Sequence, residues 1–117
     1  IYDIANHAKK KLNSNPNKFL SEIPSLLNET WKLKKKLTKN VTNNQIDELY
    51  NYCIKNGAEG GKLLGSGAGG FFLFVCKNSE GKKKLAKSLK NSILVNFKTE
   101  EIGSKIIFKN KDYYDTI

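Results

Sequence analysis

A glycine-rich stretch in the middle of the chain constrains the fold more than any other feature of the sequence. Between Gly60 and Gly70, six of eleven residues are glycine, and the apolar run Phe71–Cys76 follows directly. Glycine adopts left-handed backbone angles without the steric cost that a β-carbon imposes. Residues 65–70 therefore predict a loop whose backbone lies flat against a ligand or another loop, and we expect function to reside there.

The N-terminal half has the apolar spacing of helices. Residues 1–12 place their apolar side chains on one face, as an amphipathic helix does. The pair Asn15–Pro16 is suited to cap and open a second helix, and Pro24 is expected to break or restart it. The segment Thr42–Gln45 resembles a capping box that opens a third helix, and Gly57 is placed to end that helix.

The C-terminal half has the pattern of short strands around one lysine-rich helix. The predicted strands cover Lys62–Leu64, Phe71–Cys76, Ile93–Phe97 and Lys105–Phe108. The helix between the second and third strands carries its apolar side chains at Leu85, Ala86 and Leu89. A chain of 117 residues builds one hydrophobic core. The sequence therefore predicts one α+β domain, with N-terminal helices followed by a small antiparallel sheet and a covering helix.

The formal net charge of +10 raises the question of a nucleic-acid partner. All 21 cationic residues are lysine, whereas arginine is the residue whose planar fork reads phosphates and guanine edges. The strands also lack an aromatic pattern suited to base stacking. We therefore expect a solvated basic surface without nucleic acid, with a basic RNA-binding domain as a lesser alternative. Such a surface still attracts a phosphorylated small molecule.

The two cysteines and the apolar runs bear on metal binding, redox state and membrane association. Cys53 and Cys76 belong to no CxxC or Cys/His cluster, so we expect no metal site and a reduced, cytoplasmic chain. The apolar run Phe71–Cys76 is far too short to span a bilayer, so we expect no membrane partner.

The glycine stretch matches two nucleotide-binding motifs only in part. Gly65, Gly67 and Gly70 fit G-x-G-x-x-G, but a dinucleotide fold needs that motif to open a helix, and here it opens a strand. The Walker A motif is not matched, because that motif needs serine or threonine after its lysine and Lys62 is followed by leucine. The arrangement that remains is a strand, a glycine loop and a second strand. Either the backbone N–H groups of the loop cradle a phosphate, with Ser66 as a further donor, or the loop is a tight connection packed on a neighbouring loop. Lys62 either supplies a positive charge or lies in solvent.

Residues 62–71, Lys-Leu-Leu-Gly-Ser-Gly-Ala-Gly-Gly-Phe, resemble the third conserved motif of the GHMP kinases. This superfamily includes galactokinase, homoserine kinase, mevalonate kinase and phosphomevalonate kinase. Residues 31–37, 46–50, 57–61 and 103–107 are similar to its sugar-kinase branch, and in particular to kinases of D-glycero-D-manno-heptose 7-phosphate. The resemblance covers nearly the whole chain.

The resemblance implies an ATP-dependent sugar kinase that serves heptose synthesis for surface polysaccharide. It would move the γ-phosphoryl group of Mg-ATP onto the anomeric hydroxyl of a sugar phosphate. The family's main ATP loop and its acidic residue lie in an N-terminal domain, so we expect no catalytic residue in this chain. The role of supporting the ATP loop falls on Gly65, Ser66, Gly67, Ala68, Gly69 and Gly70. The alternative is a stand-alone ferredoxin-like module that binds a phosphorylated small ligand without catalysis.

The resemblance also implies that residues 1–117 are one C-terminal domain, a ferredoxin-like sheet lacking its first strand. The chain opens at Ile1 inside a helical pattern and contains no methionine, so we expect a piece of a longer protein. Its partners would be the N-terminal kinase domain and, because an unpaired slot in a sheet invites another chain, a second copy by dimerisation or strand exchange. We expect this chain alone to lack kinase activity.

Overall fold

The computed structural model describes residues 1–65 and 67–107. It contains four helices and a two-stranded antiparallel sheet. Their bounds are α1 Tyr2–Ser14, α2 Pro16–Leu37, α3 Asn44–Lys55, β1 Ala58–Leu63, β2 Phe72–Cys76 and α4 Ser79–Ser88. The predicted α+β class, with helices first and a small antiparallel sheet after them, is confirmed. In the part of the chain that the structure describes, no helix has both the length and the apolarity needed to cross a membrane.

The helix α2 passes through Pro24 without interruption, so the expected break at that residue is wrong. Proline removes one helical hydrogen bond, because it has no N–H to donate to the carbonyl of Leu20. Leu20 is an exposed residue. Pro24 itself is buried, and a β-carbon on Gly60 would overlap its backbone. The close contact between α2 and β1 thus favours a continuous helix over a restarted one.

The helix ends lie where the capping residues predict them, except that the N-cap of α3 is one residue later than predicted. The side chain of Asn15 caps α2, as predicted. In α3 the capping residue is Asn43 rather than Thr42, and its side-chain oxygen accepts from the N–H of Ile46 at 2.9 Å. Asn43 has the extended backbone that an N-cap requires, with φ −142° and ψ 175°. Gly57 follows the end of α3 with φ +126°, which confirms a glycine at that end.

Two apolar clusters hold the helices against the sheet. The first contains Trp31, Val41 and Leu63, with Ile46, Tyr50 and Phe72 packed against them. The second contains Cys53, Ala58 and Leu85, with Ile54, Phe74, Cys76 and Leu89 around them. Trp31 is 1% exposed and meets the ring of Phe72 edge-on, with 6.1 Å between ring centroids. The first cluster therefore lies beneath the end of β1 and the start of β2, where the glycine loop begins.

The strands predicted at Ile93–Phe97 and at Lys105–Phe108 are not formed in the described residues, so both predictions are wrong there; Phe108 lies outside the description. A strand is stable only beside a neighbour that accepts and donates its hydrogen bonds, whatever its own β-propensity. Residues 93–107 have no such neighbour among the described residues. The first strand, in contrast, is longer than predicted, because β1 begins at Ala58 and not at Lys62.

Candidate functional site

Gly65 and residues 67–70 lie in the loop of a β-hairpin. The N–H of Leu64 donates to the carbonyl of Phe71 at 2.8 Å, which closes the loop directly after β1 and before β2. The predicted order of strand, glycine loop and strand is therefore confirmed. Among the described residues no helix begins at the loop, whereas a dinucleotide-binding motif would need one to begin there.

Four of the described residues of the loop have left-handed backbone angles. The φ angles of Gly65, Gly67 and Gly70 are +87°, +109° and +121°, and Ala68 has φ +59°. An L-residue in this region is strained by about 1 kcal/mol, whereas glycine is not. The backbone of the hairpin thus explains three glycines of the loop, and it holds Ala68 in a conformation that alanine seldom adopts.

The middle of the loop is docked on the connection between α2 and α3. The N–H of Ala68 donates to the carbonyl of Val41 at 3.0 Å. A β-carbon on Gly67 would lie 2.8 Å from the Cα and 2.9 Å from the carbonyl oxygen of Val41, so only glycine allows this approach. Val41 is itself buried in the first cluster. The core therefore sets the position of the loop.

Gly69 is the glycine that the fold does not require. Its φ is not in the left-handed range, it is exposed, and nothing lies within 4 Å of the position that a β-carbon would take. The N–H groups of Gly69 and Gly70 have no acceptor among residues 1–65 and 67–107. Among the described residues, the backbone at Gly69 is thus uncovered and the neighbouring N–H groups have no acceptor, an arrangement that suits close approach of an anionic ligand.

A lysine of α2 contacts the loop, whereas Lys62 of β1 makes no such contact among the described residues. The Nζ of Lys34 donates to the carbonyl of Gly65. Lys62 is half-buried in β1, and within the described ranges its side chain has no hydrogen bond or ion pair. The Nζ of Lys35, next to Lys34, lies 3.0 Å from a carboxylate oxygen of Asp47. The contact of Lys34 could not be predicted from the sequence, because Lys34 lies in a run of lysines. Only the rotation of α2 against β1 decides which of these lysines faces the loop.

Asn28 joins three elements at the base of the hairpin, a role that no sequence pattern predicts. Its Oδ1 accepts from the N–H of Gly61 at 3.0 Å and from the hydroxyl of Tyr50. Its Nδ2 donates to the carbonyl of Glu59 at 3.2 Å. Burial raises the pKa of the Tyr50 phenol, which keeps the hydroxyl protonated as a donor. Asn28 therefore fixes α2, α3 and β1 relative to one another.

The remaining candidate groups are Ser66, the two cysteines and the acidic side chains. Ser66, the predicted hydroxyl donor, lies outside the described residues. Burial raises the pKa of the Cys53 thiol to about 11 and also raises that of Cys76, so both stay protonated at neutral pH. No three His, Cys, Asp or Glu side chains of the described ranges are grouped closely enough to hold a metal ion. These residues do not form a site for Mg²⁺, and none is assigned as a metal ligand.

Comparison with known families identifies the domain. The family described as "GHMP kinases C terminal" matches residues 10–94, which is most of the chain. The chain belongs to this family, and the resemblance seen in the glycine motif is confirmed. The kinases of the family are ATP-dependent and use Mg²⁺.

Two curated proteins are similar to the chain over its larger part. One is the D-glycero-alpha-D-manno-heptose 7-phosphate kinase of Campylobacter jejuni, 35% identical over 68 residues that make up 58% of this chain and 20% of that protein. The other is the bifunctional fucokinase/GDP-fucose pyrophosphorylase of Arabidopsis thaliana, 31% identical over 70 residues, or 60% of this chain and 6% of that protein. The chain thus spans a fifth of the first relative and less of the second.

Proposed function

We propose that this chain is the C-terminal part of a cytoplasmic ATP-dependent sugar kinase, whose cleft is completed by an N-terminal domain. Membership of the GHMP kinase family supports the reaction class. The γ-phosphoryl group of ATP would pass to the anomeric hydroxyl of a sugar phosphate, which forms an O–P bond and releases ADP. The hydroxyl proton would leave to a group of the other domain, and no residue of this chain is assigned a catalytic role.

In this proposal the glycine loop supports the phosphate end of the cleft. The observation that carries it is the backbone of Gly69, which is exposed, free of neighbours and beside N–H groups without acceptors in the described structure. Phosphoryl transfer depends mainly on positioning and on stabilising negative charge. Backbone donors held by the contacts of Gly67 and Ala68 with Val41 are suited to that task, because they do not reorganise during the reaction.

The proposed substrate is D-glycero-D-manno-heptose 7-phosphate. The similarity to the Campylobacter kinase supports it, while the printed name of the Arabidopsis relative contains fucokinase, a kinase of a different sugar. The assay is therefore a comparison of kcat/KM for heptose 7-phosphate and for fucose with the complete kinase. Preference for heptose 7-phosphate supports the proposal, and preference for fucose would replace this substrate without changing the reaction class.

The role of the loop is tested by the pair Gly69→Val and Gly103→Val in the complete kinase. Neither glycine has a neighbour within 4 Å of a β-carbon position, and neither has a left-handed φ, so both variants should fold as the parent does. We expect Gly69→Val to lower kcat/KM for the sugar substrate by about tenfold or more, since a side chain would separate the backbone donors from phosphate. Equal activity of the two variants would contradict a role at the phosphate.

A second candidate function is binding of a phosphorylated small ligand without catalysis. It is favoured by the fact that Lys34 and Val41, which belong to this same chain, already hold the loop in place. Calorimetric titration of the 117-residue chain with ADP and with heptose 7-phosphate tests it. Binding without turnover fits both candidates, whereas measurable turnover by this chain alone would overturn the proposal that the cleft is shared between two domains.

A further inference from the structure

The two ends of the glycine loop lie side by side in a neck formed by Leu64, Gly65, Gly70 and Phe71. The bond from the N–H of Leu64 to the carbonyl of Phe71 closes this neck. A β-carbon on Gly70 would lie 2.9 Å from the carbonyl oxygen of Leu64, so Gly70 packs directly across the neck from the residue that precedes Gly65. A group that is bound to Gly65 therefore lies close to Gly70 as well.

The side chain of Lys34 reaches this neck from α2. Its Nζ donates to the carbonyl of Gly65, and the residue is half-buried, so its aliphatic stem is packed while its ammonium group faces the loop. An ammonium group has three donors, and the Gly65 carbonyl takes one of them. Among residues 1–65 and 67–107, no carboxylate forms an ion pair with Lys34. Within these residues Lys34 thus keeps donors and a positive charge beside the N–H groups of Gly69 and Gly70.

The other lysines of this region are placed differently. Lys35 forms an ion pair with a carboxylate of α3. Leu63 is buried in the core, and the alternation of side chains along β1 turns Lys62 to the opposite face of the sheet. Lys32 is exposed and lies two residues before Lys34 on α2, which is a rotation of about 200° around the helix. Of these four lysines, only Lys34 bonds to the loop among the described residues.

We propose that Lys34 is a phosphate-binding residue of the cleft, and that its ammonium group and the N–H groups of Gly69 and Gly70 bind the same phosphate group. This inference rests on the proposed kinase function and extends it, since that proposal gives the phosphate backbone donors alone. Hydrogen bonds from a charged donor are about twice as strong as those between neutral groups. The phosphate belongs either to ATP or to the sugar phosphate, and the experiment below separates these two sources.

The bond to Gly65 also makes Lys34 better suited to bind an anion. A lysine side chain has many rotamers in solvent, and ordering it on a ligand weakens binding. Here the packing of the stem and the bond to the Gly65 carbonyl order the side chain before any ligand arrives. The charge therefore lies at the neck of the loop in advance, as the backbone donors do.

The test compares three variants of the complete kinase by calorimetric titration with a non-hydrolysable ATP analogue and with heptose 7-phosphate. Lys34→Met removes the charge and keeps an apolar stem, and it should raise the Kd of the ligand whose phosphate Lys34 contacts by about tenfold or more. Lys34→Arg keeps the charge and has five donors, so it should recover most of that loss. Lys32→Met is the matched control, because it removes the same charge from an exposed position of the same helix.

Salt separates phosphate binding from a purely structural role of Lys34. Salt screens the attraction between the ammonium group and a phosphate, whereas it has much less effect on a bond to a neutral carbonyl. The Kd of the parent should therefore rise more steeply with salt than the Kd of Lys34→Met, and Lys32→Met should follow the parent. Urea unfolding should be similar for all three variants, because the bond from Lys34 to Gly65 is exposed.

Two results would overturn this inference. One is a Lys34→Met kinase that binds both ligands as Lys32→Met does, and the other is an equal salt dependence of Lys34→Met and the parent. Failure of the proposed function gives a different pattern, namely equal activities of Gly69→Val and Gly103→Val. If Gly69→Val loses activity while Lys34→Met binds both ligands normally, the proposed function stands and Lys34 has no part in it.

Discussion

The glycine loop and residues 93–107 differ in what holds them. Lys34 from α2 and Val41 from the α2–α3 connection bond to the loop, and the loop begins above the buried Trp31 cluster. Within the described structure, residues 93–107 make one local bond, from the N–H of Ile102 to the Glu100 carboxylate. Both regions are exposed, so exposure does not distinguish them. The number of elements that fix a segment decides its geometry, and substitutions should therefore act very differently in the two regions.

The largest contrast is expected between Trp31→Ala and Ile106→Ala. Trp31 is buried beneath the start of the loop, and its truncation should lower the free energy of unfolding by about 3–5 kcal/mol. Ile106 is exposed, and its truncation should change that free energy by less than about 0.5 kcal/mol. Urea unfolding followed by circular dichroism measures both. Similar losses would mean that residues 93–107 are packed after all.

The next contrast is between Gly67→Ala and Gly103→Ala. A β-carbon at residue 67 meets the backbone of Val41 at a left-handed φ, so this variant should lose about 1–3 kcal/mol of unfolding free energy. Gly103 has open space and no left-handed φ, and alanine there should be neutral or slightly stabilising. If Gly67→Ala unfolded like the parent, the docking of the loop on Val41 would be wrong.

A contrast of similar or smaller size separates Asn28→Ala from Asn91→Ala. Removing the Asn28 amide leaves the N–H of Gly61 and the carbonyl of Glu59 without partners, which should cost about 1–3 kcal/mol of unfolding free energy. Asn91 is exposed and makes no side-chain bond to the other described residues, so its removal should have no measurable effect. Faster hydrogen exchange at Gly61 in the Asn28 variant alone would locate the loss on the β1 edge.

The smallest contrast compares Ala68→Gly with Ala5→Gly. Ala68 has φ +59°, and glycine removes about 1 kcal/mol of strain while adding similar freedom to the unfolded chain, so the two effects should nearly cancel. Ala5 lies inside α1, where glycine should cost about 0.5–1 kcal/mol. Thermal unfolding of the two variants is the measurement. A lower Tm for Ala68→Gly than for Ala5→Gly would argue against the left-handed conformation.

What could be predicted from sequence was local. The caps at Asn15 and Gly57 and the loop between two strands depend on neighbouring residues alone, and the structure confirms them. The continuity of α2 through Pro24 depends on its contact with Gly60, and the absence of a strand at 93–97 depends on the lack of a partner. Neither the contact with another element nor the lack of a pairing strand can be inferred from the residues of the segment itself.

In the candidate site, too, the local features could be predicted from sequence and the long-range contacts could not. The left-handed backbone of Gly65, Gly67 and Gly70 could be predicted from residue type alone, whereas the open space at Gly69 could not. Lys34 and Asn28 could not be predicted, since each acts across 31 or more residues of sequence, on the carbonyl of Gly65 and on β1. A long-range contact of a lysine or an asparagine on an amphipathic helix cannot be predicted until the position of the helix against the sheet is known.

The anchoring of the loop on Val41 and Lys34 also bears on affinity. A mobile loop must lose conformational entropy when it closes on a ligand, and that loss weakens binding. Here the bond from Ala68 to Val41 and the bond from Lys34 to Gly65 order the backbone during folding. In the proposed site the loop is therefore preorganised, and a phosphate that reached Gly69 would meet donors already in position. Loosening the α2–α3 connection far from any ligand should then weaken binding without removing a single ligand contact.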